Sequence, residues 1–124
     1  MLVTGVDIIE IHRIGRTIQR WGDRFLNRIY TKDELAYCRG RIPSLAARFA
    51  AKEATMKALG TGIRGIGWRD IEVSRNKGKP PTISLHGRAL KIAESINIQE
   101  LALSLSHSQH YAVATVVGLR ETAP

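Results

Sequence analysis

The chain has 124 residues, 44% of them hydrophobic and 24% charged, which fits one globular domain over residues 1–124. Its 19 Lys and Arg against 11 Asp and Glu give a net charge of +8, which predicts attraction to acidic proteins, phosphorylated ligands or polyanions and says nothing of fold. No apolar run is long enough to span a membrane, no signal peptide is legible, and the single cysteine, Cys38, excludes an internal disulfide, so a reducing cytoplasm is the expected location.

Leu2 to Ile9 reads as a strand that carries one acid, Asp7, in an apolar run where aspartate is disfavoured. A carboxylate buried there needs a cation, a metal or several donors; otherwise it caps the next turn at a strand end. Glu10 is its rival for either role. From Ile11 to about Trp21 the pattern turns helical, with Ile11, Ile14 and Ile18 as the apolar stripe and Arg13, Arg16 and Arg20 off it. Thr31 and Glu34 form a capping-box signature for a short helix ending near Gly40. Pro43 suits the first turn of the main helix, which runs to Leu59 with Leu45, Phe49, Met56 and Leu59 as its stripe. Lys52 falls inside that stripe and must snorkel out or meet a carboxylate.

Gly60, Gly62, Gly65 and Gly67 make a loop that follows a helix and precedes none, so it is neither a Walker loop nor a dinucleotide fingerprint. Trp68–Ser74 and Thr82–His86 read as strands joined at Asn76–Pro80, and Arg88–Ile96 as a helix. Leu101–Ser108 alternates cleanly, and Tyr111–Val117 is its return strand, with Gln109 and His110 at the turn. The order β-α-α-α-β-β-α-β-β predicts an α+β fold, an antiparallel sheet with packed helices.

The most informative stretch is Arg48–Gly62. Glu53 and Lys57 lie four residues apart, hence on one helix face. A carboxylate can hold a hard cation, a lysine a phosphate oxygen, and glycines allow a ligand close to the backbone. The same pattern is also an ordinary way to end a surface helix at a glycine cap. His107, at a strand end beside two serines, reads equally as a hydrogen-bonded structural residue. His12, His86 and His110 show no ligand spacing, and one cysteine with scattered histidines makes no zinc set.

Gly5-Val6-Asp7-Ile8-Ile9-Glu10-Ile11 and Arg48-Phe49-Ala50-Ala51-Lys52-Glu53-Ala54 with Lys57-Ala58 resemble the holo-[acyl-carrier-protein] synthases, small trimeric 4'-phosphopantetheinyl transferases. Tyr30–Leu35, Asp70–Val73, Gly78–Pro80 and Leu103–Ser108 match in family order, so the resemblance covers nearly the whole chain. It departs at Val3-Thr4-Gly5, where the family often carries glycine two residues before Gly5, and in a short segment between Cys38 and Ala46.

The resemblance implies transfer of 4'-phosphopantetheine from coenzyme A to a serine of apo acyl carrier protein, giving 3',5'-ADP, within fatty acid biosynthesis. It makes Asp7 and Glu53 the protein ligands of Mg²⁺ and Lys57 a contact to the pyrophosphate. Arg48, Gly60, Gly62 and His107 join Lys57 at the coenzyme A site. Glu53 or a metal-bound water takes the serine proton. Arg13, with Arg20 and Arg24, would dock the acidic carrier. A homotrimer with sites between subunits is implied, one guessed division being Asp7 and His107 from one chain, Glu53 and Lys57 from its neighbour. Two other classes stay open: a small basic nucleic-acid-binding module, disfavoured by 6% aromatics and the placed carboxylates, and a non-catalytic assembly protein, disfavoured by the intact Asp7, Glu53 and Lys57.

Overall fold

The structure is a computed structural model that describes residues 1–62 and 65–122; Ile63 and Arg64 of the glycine loop, with Ala123 and Pro124, lie outside the described residues. In chain order the elements are β1 (Leu2–Glu10), α1 (Ile11–Trp21), α2 (Asp23–Ile29), α3 (Lys32–Cys38), α4 (Ile42–Leu59), β2 (Ile71–Ser74), β3 (Thr82–Leu85), α5 (Gly87–Ser95), β4 (Ile98–His107) and β5 (Tyr111–Arg120). Three strands form an antiparallel sheet in the order β1-β5-β4, and β2 and β3 form a separate hairpin. The α+β architecture follows the sequence pattern closely. One helix, α2, escaped it: Gly22 adopts φ +56 and breaks the helical run, and the chain then re-enters a helix at Asp23. Trp68–Asp70 is one tight 3₁₀ turn rather than strand.

The long helix α4 lies on one face of the sheet. Its alanines at 46, 47, 50, 51, 54 and 58 are all buried, so its backbone approaches the strands closely. Gly5 takes this furthest: a Cβ there would overlap the Ala54 carbonyl oxygen and lie 2.9 Å from the Ala58 amide nitrogen. On the sheet side, Val3, Ile9, Leu101, Leu103 and Leu105 pack against the α4 alanines and Val116. Each fully buried Leu45, Met56 or Val116 contributes about 1.5–3 kcal/mol of hydrophobic stabilisation.

Of the two outcomes its place in the apolar stripe allowed, Lys52 takes the second and meets a carboxylate. Its ammonium donates to Glu34 Oε1 at 2.8 Å, to the Trp68 carbonyl at 3.1 Å and to the Ile71 carbonyl, with both charged side chains fully buried. Glu34 also accepts the Thr31 amide (2.9 Å) and the Val73 amide (2.9 Å), while Thr31 Oγ1 accepts the Glu34 amide, so the capping box is present. This pair ties α3 to α4 and β2. Glu72 of β2 is held beside it, accepting from Thr31 Oγ1 at 2.6 Å and meeting His86 Nε2 at 3.1 Å.

Candidate active site

Close packing of β1 on α4 brings together residues far apart in the chain. Lys57 Nζ donates to the Val6 carbonyl at 2.9 Å and to Asp7 Oδ1 at 3.3 Å. Asp7 and Glu53 line one cavity of about 490 Å³, with Arg13, Thr17, Phe25 and Phe49 among its walls. Burial pushes the Glu53 carboxyl above its usual value, and the neighbouring charge of Asp7 adds to that push; Lys57 opposes it. The three residues therefore meet within one chain. This corrects the guessed division that placed Asp7 and Glu53 on different subunits: α4 folds back on β1 of its own chain because Gly5 offers no side chain to hold it off.

Two carboxylates crowded in one half-buried cavity, with proton affinity raised at one of them, leave room for a cation. Among the described residues no group of three or more His, Cys, Asp or Glu gathers. Two oxygen donors still fit Mg²⁺, which keeps several waters and takes its other ligands from a substrate phosphate. Glu10 lies apart, 3.5 Å from His12.

Arg48 is 3% exposed, and its guanidinium lies 4.2 Å from the centre of the Tyr37 ring. Its Nη1 reaches the Ser44 carbonyl at 3.5 Å, while Nε and Nη2 have no partner among the described residues. A buried cation with two unpartnered donor nitrogens is costly unless an anion meets it. Gly60 and Gly62 follow the last turn of α4 with φ +78 and +60, and a Cβ at either would meet nothing within 4 Å. Their conformation, not crowding, favours glycine there. His107 sits at the end of β4, exposed, with Nδ1 3.4 Å from the Ser108 carbonyl. It pairs across the ladder with Ala112, opposite Ile9, and makes no hydrogen bond to Asp7, Glu53 or Lys57.

The arginines of α1 and α2 adjoin this cavity. Arg13, Arg16 and Arg20 line a cleft with Thr17 and Trp21, and Arg24 lines the next one with Trp21, Phe25 and Arg28. Arg13 and Thr17 belong both to the first cleft and to the cavity of Asp7 and Glu53. No arginine among the described residues makes an ion pair.

A family model for the 4'-phosphopantetheinyl transferase superfamily matches residues 4–116. The chain belongs to that superfamily. A holo-[acyl-carrier-protein] synthase of Koribacter versatilis is 50% identical to this transferase over 121 residues, covering 94% of this chain and 97% of the relative. One from Herpetosiphon aurantiacus is 49% identical, covering 96% and 99%. Among solved structures, the Helicobacter pylori holo-[acyl-carrier-protein] synthase in complex with coenzyme A aligns with a TM-score of 0.85 at 35% identity, over 94% of this chain and 99% of that one. The fold of this transferase is thus that of its enzyme relatives. Its cavity walls Thr17, Phe25 and Phe49, and Tyr37 beneath Arg48, carried no signal in the sequence that set them apart from ordinary core and surface residues.

Proposed function

We propose that residues 1–124 form one transferase domain that moves 4'-phosphopantetheine from coenzyme A to a serine of apo acyl carrier protein, releasing 3',5'-ADP and serving fatty acid biosynthesis in the cytoplasm. The observation that carries this reading is the meeting of Asp7, Glu53 and Lys57 at one cavity. Asp7 and Glu53 would hold Mg²⁺, which supplies charge neutralisation at the pyrophosphate oxygens. The serine oxygen attacks the phosphorus next to pantetheine, and the bond to the departing 3',5'-ADP breaks. Lys57 neutralises charge on the phosphate that leaves, and Glu53 or a water beside it takes the serine proton. The free N–H groups of Arg48 suit a phosphate of the nucleotide, with Gly60, Gly62 and His107 at the same substrate. Arg13, Arg20 and Arg24 present unpaired charge beside the cavity, which suits docking of an acidic carrier.

A homotrimer with sites between subunits accords with the sheet face turned away from α4, which exposes Leu2, Val6, Ile8, Val117 and Leu119. Among the described residues no helix is long and apolar enough to cross a membrane. Incubation with coenzyme A, Mg²⁺ and an apo carrier protein, followed by mass spectrometry, tests the reading. A phosphopantetheine adduct on the carrier serine is expected; its absence at saturating substrates would rule the activity out.

A further inference from the structure

Apart from the cavity of Asp7 and Glu53, a groove of about 700 Å³ runs between the end of α2, the start of α3 and the Gly67–Asp70 turn. Among the described residues three cations line it, Arg28, Lys32 and Arg69, against one acid, Asp70. That acid is engaged already, since its Oδ2 accepts the Gly67 amide at 3.2 Å. The three cations are exposed and form no ion pair with any described residue. Asp33, next to Lys32 in the chain, does not line the groove. Protein surfaces usually intersperse the two signs, so a groove with three unpaired cations faces an anion.

Its position narrows what that anion is. Arg28 also lines the cleft of Trp21 and Arg24, so the groove continues the basic band of α1 around α2. Trp68 lines the groove and stacks on Phe49, ring centres 4.9 Å apart, and Phe49 lines the cavity of Asp7 and Glu53. The groove is therefore one aromatic layer from the cavity of Asp7 and Glu53. The seven residues of α2 span about 10 Å. A ligand touching both ends of this band must be larger than a phosphate group, and acidic at two separated places.

We infer that the Arg28–Lys32–Arg69 groove is a second docking site for the carrier protein, taking an acidic segment other than the one that meets Arg13 and Arg20. The inference rests on the transfer reaction proposed above. With two anchors on either side of Phe25 and Phe49, the carrier is held in register so that its serine enters between them.

The test uses the full-length protein with the double variant Lys32→Glu/Arg69→Glu, beside Arg13→Glu/Arg20→Glu as the comparison. Reversing two docking charges is expected to raise KM for apo carrier about tenfold, with kcat and the KM for coenzyme A unchanged and the difference shrinking as salt is added. A photo-crosslinking residue at position 69 is expected to label a carrier segment different from the one labelled from position 20. An unchanged KM, or a cross-link to the same segment from both positions, overturns the second site. A raised KM for coenzyme A alone shows that the groove serves the nucleotide, and loss of oligonucleotide binding alone that it serves nucleic acid; either overturns the inference. If the wild-type protein does not modify the carrier at all, it is the reaction that fails, so the two failures are distinct.

Discussion

Lys57 and Asp7 stand fifty residues apart in sequence and 3.3 Å apart in space. The ammonium also holds the Val6 carbonyl, so it is fixed against Asp7, which lines a cavity together with Glu53. One cation thus offsets part of the charge of two acids, and the remainder invites a metal ion.

Asp7→Ala and Glu53→Ala are each expected to fold and to lose transfer by at least about 100-fold, the usual scale for removing an electrostatic contact made at the transition state. Calorimetric titration with Mg²⁺ in the presence of coenzyme A should show the metal-linked heat disappear in both. Glu53 has its folded-state proton affinity raised, so any stability it brings is present at low pH and lost as pH rises through that shifted value. Glu53→Gln should therefore melt no lower than wild type at neutral pH without Mg²⁺. Near-normal turnover in either alanine variant would defeat the assignment.

Arg48 is expected to bind coenzyme A through Nε and Nη2, which find no partner among the described residues. Charge-assisted hydrogen bonds contribute about 1.5–3 kcal/mol, so Arg48→Gln should raise the KM for coenzyme A about 10- to 100-fold. Lys at this position keeps the charge but not the planar fork, and should rescue only in part. A coenzyme A titration that gives the same affinity for all three proteins would assign Arg48 to packing on Tyr37 alone.

Asp7 and Glu53 lie in one chain, so mixing Asp7→Ala with Glu53→Ala protein should restore no activity. If coenzyme A bridges subunits, His107→Ala mixed with Glu53→Ala should regain part of it, because one mixed site then carries both intact residues. Light scattering on the mixture checks that oligomers have exchanged. Recovery in the first mixture would mean that the shared cavity is assembled differently in the oligomer.

Glu72 has its carboxyl held below the ordinary value of 4.5, chiefly by the Thr31 hydroxyl and further by His86. A lowered folded-state value stabilises above the unfolded value and loses that effect as pH falls through the folded one. Glu72→Gln should thus lower stability by about 1 kcal/mol near neutral pH, roughly 3–5 °C in Tm. The gap should close as pH falls through the lowered value at which wild-type Glu72 takes up its proton. Thermal melts across pH 3–8 measure this, and a gap that is constant with pH would show that the carboxylate charge is not what holds the hairpin.

The amino-acid sequence by itself determined most local choices. The Thr31–Glu34 capping box, the alternation of Leu101, Leu103 and Leu105, and the helical span ending at Gly60 depend on neighbours within a turn or two, and all three appear in the fold. Lys52 in an apolar stripe had to snorkel out or meet a carboxylate, and nothing in its spacing chose between these or pointed to Glu34, eighteen residues away. The α2 helix was hidden because its start rests on the φ +56 turn at Gly22, which a hydrophobic period cannot report.

Only the tertiary structure decided the site. Asp7 lies on a strand and Glu53 and Lys57 on a helix, and no periodicity links one to the other. Their meeting depends on the direct contact of Gly5 with the α4 backbone, a relation between segments fifty residues apart. The same holds for Arg48, whose type announces a cation but whose two unpartnered donor nitrogens exist only because packing removes them from water. Patterns of period 2 and 3.6 write the elements; close packing and the cost of burying charge place the chemistry.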